Sequence, residues 1–139
     1  LWQGSIVLGH LGINVPDLSV ARAYYDEMMP LLGFEPYFSL EDQFAYKPVR
    51  GRPGTYLFVY AATEPGSYSR HRTGLQHLAF MVRSRSLVRA VHDRAVELGS
   101  EIDHPPREFP EYPPPHYFAT FWFDPFGFLF EAVCHHDRD

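Results

Sequence analysis

The sequence predicts an α+β fold of two tandem βαβββ modules whose curved mixed sheets form a half-barrel cavity. Three observations carry that prediction. First, sliding the chain by 67 residues lays HLGINVPDLSVARAYYD (10–26) over HLAFMVRSRSLVRAVHD (77–93). Identities then fall at His10/His77, Leu11/Leu78, Val15/Val82, Ser19/Ser86, Arg22/Arg89, Ala23/Ala90 and Asp26/Asp93, the signature of an internal duplication. Second, each copy opens on a strand-like run followed by a capped helical pattern. Third, each helix is followed by three short segments rich in aromatic and β-branched residues.

The elements follow in order. In the first copy, IVLGHLGINV reads as a strand. Asp17 or Ser19 can cap a helix in which Val20, Ala23, Tyr24, Met28 and Leu31 recur at helical spacing, and Gly33 fits a left-handed stop. EPYFSL, QFAYKP and GTYLFVYAAT supply the three later strands. In the second copy LQHLAFMV is the strand and Ser84 or Ser86 the cap. Leu87, Val88, Val91, Ala95 and Leu98 form the stripe, Gly99 is the stop, and SEIDH, HYFATFWF and FGFLFEAVC are the later strands. One domain over residues 1–139 is expected, with module one at about 5–63 and module two at about 74–134.

Composition narrows the function classes. A hydrophobic content of 45% with 21% charged residues belongs to a chain that packs a core. The net charge of −5 argues against a nucleic-acid partner, because phosphate binding needs clustered Lys and Arg. The basic stretch SRHR…SRSLVRAVHDR alternates with apolar residues and reads as the wet face of a helix. One cysteine, Cys134, excludes an intrachain disulfide and fits a reducing cytoplasm. No run is long enough to span a membrane and no charged-then-apolar leader is read, so a cytoplasmic location is expected.

Strand alternation assigns faces. Val7, Leu11, Ile13 and Val15 point toward the following helix and His10, Gly12 and Asn14 point away. Leu78, Phe80 and Val82 face the second helix, while His77, Ala79 and Met81 face away. Both histidines are thus expected on the concave side at equivalent positions. A buried imidazole needs a partner, whether side chain, backbone, water or metal. Glu131, set among Phe128, Leu129, Phe130 and Val133, is a carboxylate that needs a cation. Two imidazoles and one carboxylate make a facial set that leaves positions open on a divalent ion.

The segment HPPREFPEYPPPHY (104–117) holds six of the thirteen prolines and reads as a stiff loop. As a lid it could bring His116, Tyr112 or Tyr117 over the site as acid, base or hydrogen-bond donor, with Tyr117 favoured because it enters the next strand. Alternatively it is a rigid crossover. Tyr56, Phe58, Phe121 and Phe123 could make the pocket aromatic, whereas His71, His104, His135 and His136 read as surface residues. The terminal CHHDRD run could scavenge metal.

The repeated strand motifs HLGINV and QHLAFMV, with the closing FWFDPFGFLFEAV, resemble the vicinal oxygen chelate superfamily over nearly the whole chain. That superfamily includes glyoxalase I, extradiol dioxygenases, fosfomycin-resistance thiol transferases, methylmalonyl-CoA epimerase and bleomycin-resistance binding proteins. The DPFG turn with a glutamate four residues past its glycine is similar to the family's DPDG-then-E ending. The resemblance implies His10, His77 and Glu131 as ligands of one divalent metal (Fe, Mn, Zn, Ni or Mg). Aligning Gly54 with Gly127 puts Phe58 at glyoxalase I's fourth ligand position, a departure from that pattern. The resemblance further implies a homodimer acting on a small oxygen-rich or aromatic molecule, as lyase, isomerase, thiol transferase or ring-cleaving dioxygenase. A metal-free protein that sequesters a drug or natural product is the competing expectation.

Overall fold

A computed structural model describes residues 8–112 and 116–139. The chain forms two compact units, Leu1–Pro65 and Gly66–Asp139. The first contains β1 (His10–Val15), α1 (Leu18–Met28), β2 (Phe34–Ser39), β3 (Gln43–Pro48) and β4 (Tyr56–Ala61). The second contains β5 (Leu78–Met81), α2 (Arg85–Glu97), β6 (Ile102–Glu108), β7 (Phe118–Phe123) and β8 (Leu129–Cys134). Each unit carries one four-stranded mixed sheet, ordered β1-β4-β3-β2 and β5-β8-β7-β6, so the two share one topology. In both, the first strand pairs in parallel with the last, and the remaining pairs are antiparallel. The α+β duplication read from the repeat is the observed fold.

Register makes the equivalence exact to the residue. Gly12 lies beside Phe58 and, 67 residues on, Ala79 lies beside Glu131. Phe58 and Glu131 therefore occupy the same place in their sheets.

Local chemistry explains the helix ends. The Asp17 carboxylate accepts from Val20 N at 3.0 Å, and Ser84 Oγ accepts from Leu87 N at 3.1 Å, each satisfying an orphan amide of the first turn. Helix α1 passes into a 3₁₀ turn, Met29–Leu32, with Pro30 at its start. Both stops are left-handed glycines, Gly33 at φ 90° and Gly99 at φ 80°.

The apolar stripes differ from expectation in α1. Val20 is 45% exposed and Ala23 is exposed. The buried face is instead Ala21, Tyr24, Tyr25 and Met28. That set follows the i, i+3, i+4, i+7 rule more faithfully, with tyrosine rings supplying the buried area. In α2 the buried residues are Val88, Val91 and Ala95, and Leu87 and Leu98 flank them half-buried.

Strand β8 is buried along its whole length because both of its faces are covered. Cys134 packs with Val88 and Phe118 on the helix side. Leu129 and Val133 pack with Phe109, Ala119 and Phe121 on the other. Burying one such aliphatic side chain stabilises by about 1.5–3 kcal/mol.

Two expectations are corrected. The segment 104–117 is not wholly loop, because β6 runs on to Glu108. It is an edge strand, and its register shifts between His104 and Arg107. Pro105 and Pro106 fall at that irregularity, where missing amide donors cost no ladder bonds. The second module's first strand is also shorter than LQHLAFMV, since β5 begins at Leu78 and His77 lies just before it. Val7 and Pro113–Pro115 lie outside the described residues.

Candidate functional site

The second unit carries an open cavity of about 490 Å³, within the range usual for small-molecule sites. Glu131 lies on its wall because β8 alternates. With Phe130, Ala132 and Cys134 turned to the helix layer, Leu129, Glu131 and Val133 face the other side. The carboxylate is nearly sealed, its side chain only 1% exposed, while its neighbour His77 is 38% exposed.

Three predicted residues meet there. His77 Nε2 stands 3.3 Å from Glu131 Oε1, and the Tyr117 hydroxyl donates to Glu131 Oε2. On the far side of its ring, His77 Nδ1 meets Gln76 Oε1 at 2.5 Å. A carbonyl oxygen can only accept, so Nδ1 carries the hydrogen. In a neutral imidazole that leaves a lone pair on Nε2 facing a carboxylate oxygen. Two acceptors at this distance need a positive centre between them, either a proton or a metal ion.

Electrostatics agree. Burial pushes the Glu131 carboxyl above the usual carboxylate range, against the opposing pull of the Tyr117 hydroxyl and of His77. Burial also raises the Tyr117 phenol, helped by its hydrogen bond to Glu131. Tyr117 therefore stays protonated at neutral pH and holds Oε2, leaving Oε1 and Nε2 as the convergent pair.

That pair fits a divalent ion. Adjacent ligands at about 2.0–2.3 Å from a tetrahedral or octahedral centre lie about 2.8–3.8 Å apart, a range that includes the observed 3.3 Å. Tyr117 on Oε2 and Gln76 on Nδ1 fix the orientation of the two groups, as the outer hydrogen bonds of metal ligands do. Among the described residues no three His, Cys, Asp or Glu side chains gather as a metal site. The other predicted ligand, His10, opens β1 and stacks on Phe58, with ring centroids 4.9 Å apart and planes at 16°.

The remaining candidates separate. His116 is exposed, takes a left-handed φ of 70°, and is not among the cavity's lining residues. Tyr112 and Phe121 line the cavity. Tyr56 and Phe58 belong to an aromatic cluster in the first unit, with Tyr37, Phe38 and Tyr60.

Sequence reasoning missed four lining residues: Arg70, Gln76, Asp103 and His104. His104, expected at the surface, packs edge-on against Phe109 and Phe121 and bonds Asp103 Oδ2 through Nδ1 at 2.8 Å. The strand irregularity next to it is what turns both neighbours to the cavity, and no periodicity reveals it. His135 is only partly exposed. Its ring lies 5.1 Å from that of Tyr117.

The closing turn holds β8 in place. Asp124 Oδ1 accepts from Phe126 N and Phe128 N, both at 2.8 Å, and Gly127 takes φ 93°. This is an Asx-type turn whose fourth residue, in the left-handed region, suits glycine. It accounts physically for the DPFG motif and sets the register that delivers Glu131.

Comparison with known proteins places this geometry in a family. The model of the glyoxalase/bleomycin resistance protein/dioxygenase superfamily matches residues 7–132. A crystal structure of a protein from Bacillus halodurans, provisionally assigned as a glyoxalase, is 30% identical with a TM-score of 0.75, over 91% of this chain and 94% of that one. The uncharacterized protein YqjT of Bacillus subtilis (strain 168) is 28% identical over 96 residues, 67% of this chain and 72% of that protein. The fosfomycin resistance protein FosX of Listeria monocytogenes shares the fold at 19% identity, with a TM-score of 0.65 over 96% of this chain and 94% of that one. The duplicated βαβββ unit, the shared register and the family match together establish that this chain belongs to the glyoxalase/bleomycin resistance protein/dioxygenase superfamily.

Proposed function

We propose that the protein is a divalent-metal-dependent enzyme that binds a small oxygen-bearing molecule in the cavity of its second unit. The observation that carries this reading is the sealed Glu131 carboxylate facing an acceptor nitrogen of His77 across 3.3 Å, with its other oxygen held by Tyr117. Such an arrangement is costly unless a cation completes it.

His77 and Glu131 would hold the ion, and the duplication, not any geometry, nominates His10 as the third ligand. A bound divalent ion would supply Lewis-acid polarisation of a substrate oxygen. The chain's own contribution is derived from the site. Glu131 presents one fixed oxygen; Tyr117 keeps its proton near neutral pH and directs it at Glu131 Oε2, so its own oxygen is left to accept from a group bound beside Glu131. Phe121 and Tyr112 give an apolar, aromatic wall that excludes water from that oxygen. Phe58 in place of a fourth donor separates this chain from the glyoxalase I ligand pattern. The reading extends to a homodimer, an assembly proposed from the family resemblance alone.

The test is thermal denaturation of metal-stripped protein with Mn, Fe, Ni, Zn or Mg added singly. Binding to the folded state alone raises the melting temperature. At least one ion is expected to stabilise the wild type, with the increment gone in Glu131→Gln. If all five leave both proteins unchanged, the metal-dependent reading fails, and tight aromatic-ligand binding that survives Glu131→Gln would support sequestration instead.

A further inference from the structure

Strand β6 breaks its own alternation at the cavity. Consecutive strand residues point to opposite faces, yet Asp103 and His104 both line the cavity, because the pairing with β7 shifts register between Ile102 and His104. A bulge of this kind re-aims a side chain. The position is held from two sides. The Thr120 hydroxyl, on a fully buried residue, donates to the His104 carbonyl at 2.7 Å, and Pro105 restricts the backbone just before it. The His104 ring is set edge-on against Phe109 and Phe121, at 5.6 Å from each. Phe121 also lies 6.1 Å from the His77 ring, so the two histidines share one wall.

Asp103 decides the tautomer of that ring. Its Oδ2 lies 2.8 Å from His104 Nδ1, and an ionised carboxylate can only accept, so Nδ1 carries the hydrogen. In the neutral ring the lone pair is then on Nε2, which has no hydrogen-bond partner among the described residues and belongs to a side chain 44% exposed. A carboxylate on one ring nitrogen and a free acceptor on the other make an oriented base. The surrounding charges mostly favour a proton arriving there. Asp103 adjoins the ring, Glu111, held by Arg107 at 3.3 Å, is near enough to interact with its charge, and Glu131 shares the cavity, whereas Arg70 is the fixed positive charge that opposes it.

We propose that His104, oriented by Asp103, is the general base of this cavity and takes a proton from the molecule bound there. The substrate's bond to hydrogen breaks, an N–H bond forms at Nε2, and the electron pair stays on the substrate. Asp103 balances the imidazolium until the proton is returned. The inference rests on the reading that the cavity takes a small molecule, and it narrows the reaction to classes that begin with proton removal, such as isomerisation and elimination.

The experiment follows turnover of 5-nitrobenzisoxazole, a flat aromatic carbon acid, by the full chain. Loss of the hydrogen on its C=N carbon sends that bond's electron pair into a nitrile as the N–O bond breaks, giving a coloured phenolate. Wild type is expected to show saturable turnover that slows when this hydrogen is deuterium. His104→Gln should lose about a hundredfold, the lower end for a positioned base. Asp103→Ala should lose about tenfold, the scale of one orienting hydrogen bond, and move the His104 hydrogen from Nδ1 to Nε2 in nitrogen-15 NMR. Asp103→Asn, whose carbonyl still accepts, should keep it on Nδ1.

Unchanged turnover in His104→Gln, no turnover in wild type, or a wild-type His104 hydrogen found on Nε2 overturns the proposal. Equilibrium dialysis of the unreactive analogue nitrobenzotriazole tells the two failures apart: binding without turnover removes the base and keeps the cavity reading, and no binding removes both. Metal titration decides the His77–Glu131 pair separately.

Discussion

The two modules share a topology and a register, and they part company at one strand position. In the first, Phe58 sits beside Gly12 and its ring stacks on His10. In the second, Glu131 sits beside Ala79 and its carboxylate faces His77. The same histidine, at the same place in the repeat, is an aromatic packing element in one copy and half of an ionisable pair in the other. A duplicated scaffold thus sets where a side chain points, and a single residue on the last strand decides which chemistry it meets.

The sharpest way to break the contrast is Phe58→Glu, which puts the second module's carboxylate into the first. It removes the stack with His10 and the edge contact with Phe38, and it sets a charge among aromatic rings. A loss of about 2–3 kcal/mol in urea denaturation is expected. A neutral result would mean that the aromatic cluster contributes little.

Next comes Tyr117→Phe, which frees Glu131 Oε2 while keeping the ring. Metal affinity should fall about tenfold, the lower end for outer partners of metal ligands. Circular dichroism should be unchanged, since the ring contacts to Phe109 and Tyr112 remain.

Glu131→Gln separates stability from function. Burial raises the Glu131 carboxyl above its unfolded value, so between the two values the folded state binds more protons than the unfolded one. Stability from this group is therefore full below the unfolded value and is lost as pH rises through the folded one. In metal-free protein at neutral pH the substitution should then be neutral to stabilising, by up to about 1 kcal/mol, or about 4 °C in melting temperature. The advantage should vanish in acid. Marked destabilisation of the metal-free protein would contradict it.

The smallest effects distinguish the two helix caps. Ser84→Ala should cost about 1 kcal/mol at every pH, because a hydroxyl does not titrate in the accessible range. Asp17 is different: its bonds to Val20 N and Ser19 hold its carboxyl below the usual value. Its contribution is present above the unfolded value of 3.8 and fades as pH falls through the folded one. Asp17→Ala should therefore weaken the protein at neutral pH and make no difference in strong acid, a dependence that Ser84→Ala lacks.

Much of the fold was legible because it rests on short-range signals. The alternation that turns His77 and Met81 away from α2 and the Asp17 and Ser84 caps depend on neighbours within one element, and the 67-residue repeat is read by laying the chain on itself. Phe58 was legible as the counterpart of Glu131 through the glycine turns, and the ladders bear that alignment out. The rest depended on geometry that periodicity does not encode. Asp103 and His104 line the cavity together beside shifts in the register of β6. Arg70 reads as one more basic residue in SRHR, and only the folding of the segment around it shows a buried Nε. In α1 the pattern chose Val20 over Ala21, because hydropathy alone undervalues a small buried alanine beside large tyrosines.

The most direct test of the central claim, that the His77–Glu131 pair is a cation site which the Phe58 position is not, is metal content. Tag-free wild type, His77→Ala and Phe58→Ala would be reconstituted alike and measured by plasma mass spectrometry. The prediction is about one divalent ion per chain, the stoichiometry of a single ligand set, in wild type and Phe58→Ala, with His77→Ala empty. Equal metal in wild type and His77→Ala would contradict it.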